Sequence, residues 1–345
     1  MKSQDEKPNL MALEVTRKCR LNCRHCRAAS AGIEQRDEEL STEQWKKIMS
    51  SVADFNKCMI ILTGGEAVER GDIYELIGYG KAVGLDMVMA TCGYPINDET
   101  ALRLKDAGIT AMSFSLDGAT ASTHDAFRQY DGAFEAAIAG VEAAKRAGIR
   151  FQINTTISKY NRDEIIAIAR LAEKLGACCF NPFILVPTGT SEIAGEILDA
   201  VEYESILNEI LRIKIKSKIS VRVTCGPQFT RVCQLAQRKK LSDSPKGCIG
   251  GTAFGFINWR GDVQVCGFLD VSAGNLVENG YDFRAIWRDS KFLKEIRGRD
   301  AFKGVCAMCE YIAFCGGCRA RAFGIKGDYL DSDPICNYMK GQDRL

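Results

Sequence analysis

The stretch CRLNCRHC places Cys19, Cys23 and Cys26 directly after an alternating apolar run, LMALEVT, that reads as a strand. Thiolates are soft ligands, and a chain with 16 cysteines but only His25 and His124 is suited to iron–sulfur or zinc chemistry. Three cysteines spaced CxxxCxxC leave one position of a tetrahedral zinc, or of a four-iron cubane, without a protein thiolate. His25 can complete a zinc site, although it stands on a tight loop between two ligands. The other outcome is a [4Fe-4S] cluster with one open iron, able to bind a small bidentate ligand and pass it an electron. A second set lies far downstream: Cys248, Cys266, Cys306, Cys309, Cys315, Cys318 and Cys336, four of them spaced CxxCx5CxxC. Those seven exceed one tetrahedral metal and nearly fill two clusters; the CxxC pairs alone also fit a zinc ribbon.

The elements that must position these thiols follow from periodicity. After the strand at about 10–16 comes the cysteine loop, then STEQWKKIMSSVADF, in which Ser41 reads as an N-cap and Trp45, Ile48, Met49 and Val52 mark one helical face. KCMIILTGGE is an apolar strand ending in a glycine turn. The alternation continues through LDMVMATCG, ITAMSFSLDG, IRFQINTTIS and ACCFNPFILVPTG, with helical patterns near 72–83, 97–107, 132–147 and 163–175. Apolar strands separated by amphipathic helices predict a parallel sheet covered by helices, with its site at the carboxyl ends of the strands. There fall the cysteine triplet, Gly64, Gly65 and Glu66, Thr91 and Cys92, Ser115 and Asp117, Asn154, and Pro187 and Gly189. Beyond about 190 the pattern changes to helices and then, from 244, to short glycine-rich segments including a hairpin with a Gly261-Asp262 turn. Three parts are expected: a core over 1–195, connecting helices over 196–243 and a cysteine-rich domain over 244–345.

Composition excludes other classes. A net charge of +2 with dispersed Lys and Arg provides no handle for nucleic acid, and 345 residues at 46% hydrophobic can bury a core without disulfides. A polar N-terminus and the absence of a long apolar run predict no transmembrane segment and a cytoplasmic protein.

CRLNCRHC resembles the signature of the radical S-adenosylmethionine enzymes, with His25 in the slot, usually aromatic, before the last cysteine. The resemblance spans about 10–190 and implies an α/β fold, a partial (β/α)6 TIM-like barrel. It also implies a [4Fe-4S] cluster on Cys19, Cys23 and Cys26, whose open iron takes the amino and carboxylate groups of S-adenosyl-L-methionine. TGGE is similar to the methionine-binding turn, so Gly64, Gly65 and Glu66 are expected at the cofactor's amino group. Thr91, Ser115, Asp117 and Asn154 are the further cofactor-binding candidates, at its carboxylate or ribose. Ala67 stands where many relatives have proline, and Cys92 where an asparagine-type residue is common.

Residues 248–336 resemble the SPASM extension, which implies two auxiliary [4Fe-4S] clusters, one on Cys248, Cys266 and Cys318, the other on Cys306, Cys309, Cys315 and Cys336. The first needs an upstream ligand. Cys225, which follows a strand and opens a Pro-Gly loop, is preferred to Cys233, which lies in an apolar helical pattern. GIRFQINTTIS, VPTG, AGNL, IWRDSKF, CEYIAFCGGCRARAFGIKGDYL and DPIC are similar to the subgroup that modifies tetrapyrroles: the alternative haem decarboxylase and deacetylase, and the haem d1 maturase. That implies oxidative decarboxylation of Fe-coproporphyrin III to haem b, with a reductant such as flavodoxin or ferredoxin. Arg128, Arg319 and Arg321 are candidates to meet propionates, and Phe180, Phe183, Phe254, Phe256 and Phe268 to wall a macrocycle. A peptide or sulfatase maturase is the competing enzyme, and an iron–sulfur electron carrier the noncatalytic alternative; an open cluster beside a GGE turn argues against the carrier.

Overall fold

The computed structural model describes residues 6–28, 39–188, 191–237 and 247–338, so Gly189 lies outside the described residues. Six parallel strands run in chain order: β1 (Leu10–Thr16), β2 (Met59–Gly64), β3 (Asp86–Thr91), β4 (Ala111–Ser115), β5 (Arg150–Ile157) and β6 (Cys179–Ile184). Their apolar alternation explains the sheet. Met11, Leu13 and Val15 of β1, Ile60 and Leu62 of β2, and Phe114 of β4 are fully buried beneath the crossover helices, each stabilising the fold by roughly 1.5–3 kcal/mol.

Helices Thr42–Phe55, Ile73–Ala82, Asp98–Ala107, Ala133–Arg146 and Ile165–Leu175 occupy the expected stretches. Ser41 caps the first in a complete capping box with Gln44, and Trp45, Ile48, Met49 and Val52 form its buried face. A further helix, Ala121–Arg128, interrupts what reads as a loop after β4; Thr120 caps it through the Thr123 amide. Its eight residues are too few for a periodic signal to stand out.

The sheet does not stop at six strands. β7 (Ser220–Val221) adds to β6 in parallel, β8 (Phe254–Ile257) adds to β1 in parallel, and β9 (Val263–Gln264) runs antiparallel to β8. Among the described residues the order is β7-β6-β5-β4-β3-β2-β1-β8-β9, an unclosed, mostly parallel sheet. The hairpin around Gly261 and Asp262 therefore enters the core sheet itself. The divisions at 195 and 243 consequently separate segments that share one sheet, because strands of two to four residues carry little pattern of their own.

Candidate functional site

The cysteine loop leaves β1 at Thr16 and is held by the turn after β2. The Gly65 amide donates to Thr16 O at 2.8 Å and the Glu66 amide to Lys18 O at 2.7 Å. A Cβ on Gly64 would lie 2.2 Å from Thr16 O, and one on Gly65 2.3 Å from Lys18 O. The two glycines thus let the turn close onto the cysteine loop, a different service from clearing space for a ligand. Farther along the loop, the Arg24 amide donates to Phe127 O at 3.1 Å, and Arg27 pairs with buried Glu14 at 2.8 Å while lying over the Phe256 ring.

Glu66 is buried beside this loop. Its Oε2 accepts from Thr91 Oγ1 at 2.9 Å, the Cys92 amide at 2.8 Å and Cys92 Sγ at 2.9 Å, while among the described residues Oε1 has only a long 3.4 Å contact with the Val68 amide. Burial pushes the Glu66 carboxyl up, and the Cys92 and Thr91 bonds pull it back down. Cys19 is pushed up to about 12 by burial first, with Glu66, Cys23 and Cys26 adding to the rise. One oxygen of Glu66 is thus saturated and the other is left to receive a donor. Ala67 opens a short turn of helix, Ala67–Glu69, and is fully buried.

On the neighbouring strand ends Ser115 stands opposite Asn154 in the β4–β5 register, and Asn154 opposite Asn181 in β5–β6. Asn154 Oδ1 accepts from Gln152 Nε2 at 2.9 Å and from Asn181 Nδ2 at 3.3 Å, and Thr224 Oγ1 donates to Asn181 Oδ1 at 3.1 Å. This polar ladder reaches farther than expected. Asn181 is a rung not foreseen from the sequence, where its signal is a single amide inside the apolar run CCFNPF.

Asp117 is placed differently from a ligand-facing residue. Fully buried, it meets Arg128 Nη2 at 2.5 Å, accepts the Thr156 amide at 2.7 Å and lies 3.5 Å from His25 Nε2. Burial works to raise its carboxyl, but Arg128 holds it below the ordinary carboxylate value. His25 turns to stack on Phe127 at 4.3 Å, which in turn stacks on Tyr160. Burial lowers the His25 imidazole to about 3.

By the electrostatic influence they exert on one another the downstream cysteines divide into two sets. Burial and then Cys318, Cys266 and Cys248 push Cys225 well above its usual value, and Cys225 is held at a left-handed φ of 58°. Cys233 has no cysteine among the groups acting on it. In the other group, burial raises Cys315 to about 12, with Cys336 and Cys306 adding to the rise, and Cys306 likewise acts on Cys309 and Cys336. Gathered thiolates repel one another and a polycation removes that penalty, so the residue types of both sets suit iron–sulfur ligation, although among the described residues no three of them already stand as a metal-holding group.

Each of the three arginines has partners inside the protein. Arg321 is completely buried in an ion pair with Asp333, at 2.9 and 2.7 Å, and also donates to Cys225 O at 3.0 Å. Arg319 donates to the carbonyls of Tyr329 and Asp331 and to Cys306 Sγ at 3.6 Å. Arg128 is held by Asp117. Each guanidinium thus satisfies acceptors inside the protein, and Arg319 also lines a cavity together with Cys248 and Cys315. Phe180, fully buried in the core, is no wall of a cavity.

Residues 13–172 match the model of the radical SAM superfamily, and residues 248–318 that of the SPASM iron-sulfur cluster-binding domain. The chain is 41% identical to an AdoMet-dependent heme synthase of Methanosarcina barkeri, over 97% of this chain and 98% of the relative. It is 31% identical to the Fe-coproporphyrin III synthase of the same organism, over 98% of this chain and 90% of that one. Among solved structures, that of Streptococcus suis SuiB bound to S-adenosylmethionine superposes with a TM-score of 0.76 at 15% identity, over 96% of this chain and 78% of that chain. At that identity the likeness establishes the fold alone. The chain therefore belongs to the radical SAM superfamily, within the family of the AdoMet-dependent heme synthases: an enzyme of S-adenosylmethionine and iron–sulfur clusters with a SPASM domain.

Proposed function

We propose that this enzyme makes haem b by oxidative decarboxylation of Fe-coproporphyrin III. The observation that carries the reading is full-length similarity to AdoMet-dependent heme synthases, well above that to the Fe-coproporphyrin III synthase, which would supply its substrate. Cys19, Cys23 and Cys26 hold the reactive [4Fe-4S] cluster. Glu66, its Oε2 fixed by Thr91 and Cys92, presents Oε1 to the amino group of S-adenosylmethionine. Ser115 and Asn154, extended by Asn181, offer hydroxyl and amide groups to its carboxylate or ribose. Asp117 acts behind them by orienting Arg128. When bound, cluster and S-adenosylmethionine would supply the acceptor for one hydrogen atom of a propionate side chain, whose loss of carbon dioxide and of one further electron, taken up by an auxiliary cluster or an external one-electron acceptor, would leave a vinyl group.

Cys225, Cys248, Cys266 and Cys318 hold one auxiliary cluster, and Cys306, Cys309, Cys315 and Cys336 the other. Electrons come from a small reductant such as flavodoxin or ferredoxin, in the cytoplasm, where thiols stay reduced. Among the described residues no helix is long and apolar enough to cross a membrane.

Anaerobic protein, reduced and supplied with S-adenosylmethionine and Fe-coproporphyrin III, should yield products lacking first one and then two carboxyl groups by mass spectrometry. Formation of 5′-deoxyadenosine with no change in the porphyrin would move the substrate to another tetrapyrrole or to a peptide.

A further inference from the structure

Arg128 is the last residue of helix Ala121–Arg128, and its side chain runs beneath the cysteine loop, 9% exposed. Nη1 donates to Cys23 Sγ at 3.6 Å, and Nη2 meets Asp117 Oδ2 at 2.5 Å. Asp117 is itself immobilised. Its Oδ1 accepts the Thr156 amide, its own amide donates to His124 Nδ1 at 3.0 Å, and the Asn161 amide group donates to its carbonyl at 2.8 Å. The stack of His25, Phe127 and Tyr160 closes the same space. A guanidinium fixed in this way can neither swing out to a substrate nor leave the sulfur.

Hydrogen bonds to ligand sulfurs and nearby charge are what a protein uses to move an iron–sulfur potential. Reduction adds negative charge to the cluster, so an N–H···S bond and a cation both favour the reduced state. Asp117 offsets the cation while leaving the hydrogen bond in place.

We propose that the Arg128–Asp117 pair sets the reduction potential of the cluster on Cys19, Cys23 and Cys26. Arg128 supplies one directed hydrogen bond to Cys23, and Asp117 is the positioning residue that aims the bond and cancels most of the charge. The inference rests on Cys23 being a cluster ligand. It assigns opposite consequences to the two partners, which a purely structural ion pair would not.

The test is an anaerobic potentiometric titration followed by electron paramagnetic resonance, on the signal that changes when S-adenosylmethionine is added. Arg128→Gln should lower the midpoint and Asp117→Asn should raise it, each by at least tenfold in the reduction equilibrium, about 59 mV for one electron. Arg128→Lys, which keeps the charge without the fixed fork, should fall between Arg128→Gln and the unaltered protein. Shifts of the same sign, or none, in the Arg128 and Asp117 variants would overturn the proposal. Should Arg128→Gln fail to retain the cluster, Arg128→Lys and Asp117→Asn decide alone. Cys23→Ala separates the two levels: if the signal responsive to S-adenosylmethionine survives it, Cys23 is no ligand and the reading beneath the proposal fails, whereas its loss leaves the midpoints to judge the proposal.

Discussion

At the N-terminal loop three thiols sit against the open rim of a parallel sheet, and the guanidinium that reaches one of them, Arg128 on Cys23, is neutralised by Asp117. In the C-terminal region eight thiols sit among turns and short helices, and Arg319 reaches Cys306 Sγ at the same 3.6 Å. Yet Arg319 ends on main-chain carbonyls and the Phe302 ring, and among the described residues it forms no ion pair. One sulfur hydrogen bond thus comes with its charge cancelled and the other with its charge retained. The C-terminal carboxylate is used elsewhere. Asp333 binds Arg321, the Cys318 amide at 2.9 Å and Gln228 Nε2 at 2.8 Å, tying together three segments that carry or flank the thiols. Similar thiols are therefore set against a strand-end rim in one region and, in the other, among segments tied together by one buried carboxylate.

The sharpest way to break this contrast is to remove a thiol from each side. Cys23→Ala should abolish 5′-deoxyadenosine formation and cost about a third of the bound iron, as expected for one of three equal clusters, while Cys306→Ala should spare the signal that responds to S-adenosylmethionine. Equal loss of that signal in both would erase the distinction. Next in size is the knot: Asp333→Ala leaves Arg321 buried without its partner and should destabilise the protein by about 3–5 kcal/mol, measured by anaerobic denaturation, with the N-terminal cluster signal unchanged in protein that remains folded.

A smaller effect is expected from acid. Burial lowers the His124 imidazole to about 4, where it must stay neutral to accept the Asp117 amide. Because the unfolded chain takes up that proton near 6.5 and the folded one only near 4, stability falls as pH drops through this window, by about 2 kcal/mol at pH 5. His124→Gln should remove that part of the slope, and an unaltered slope would contradict the burial. The smallest change should follow Cys92→Ala, which takes from Glu66 a weak thiol donor but leaves the Cys92 amide and the Thr91 hydroxyl. A cost within about 1 kcal/mol in stability is expected, with a KM for S-adenosylmethionine changed less than tenfold.

What could be read from the residues follows from how far each signal reaches. β1–β6 were legible because each is a run of five to eight residues with its own apolar pattern, and the cysteine loop because its ligands are near neighbours in sequence. The short strand before Cys225 and the hairpin about Gly261-Asp262 were legible too, as β7 and as β8 and β9; their joining the core sheet at β6 and β1 was not, since such short strands are placed by the partners that accept them. The internal partners of the arginines were hidden for a related reason. A guanidinium near a cysteine motif suits a propionate and a buried Asp equally well, and only the fold brings Asp117 to Arg128 or Asp333 to Arg321. The fold also adds a reason for two glycines that the motif alone does not give: the carbonyls of Thr16 and Lys18 press on Gly64 and Gly65.

The central claim is that only one of the three thiol groups leaves an iron open. It is tested most directly by adding S-adenosylmethionine to the reduced, fully loaded protein and following the electron paramagnetic resonance of all its clusters. One signal should change, the one lost in Cys23→Ala, and the remainder should be indifferent. A response from a signal that persists in Cys23→Ala and disappears in Cys306→Ala or Cys225→Ala would contradict it.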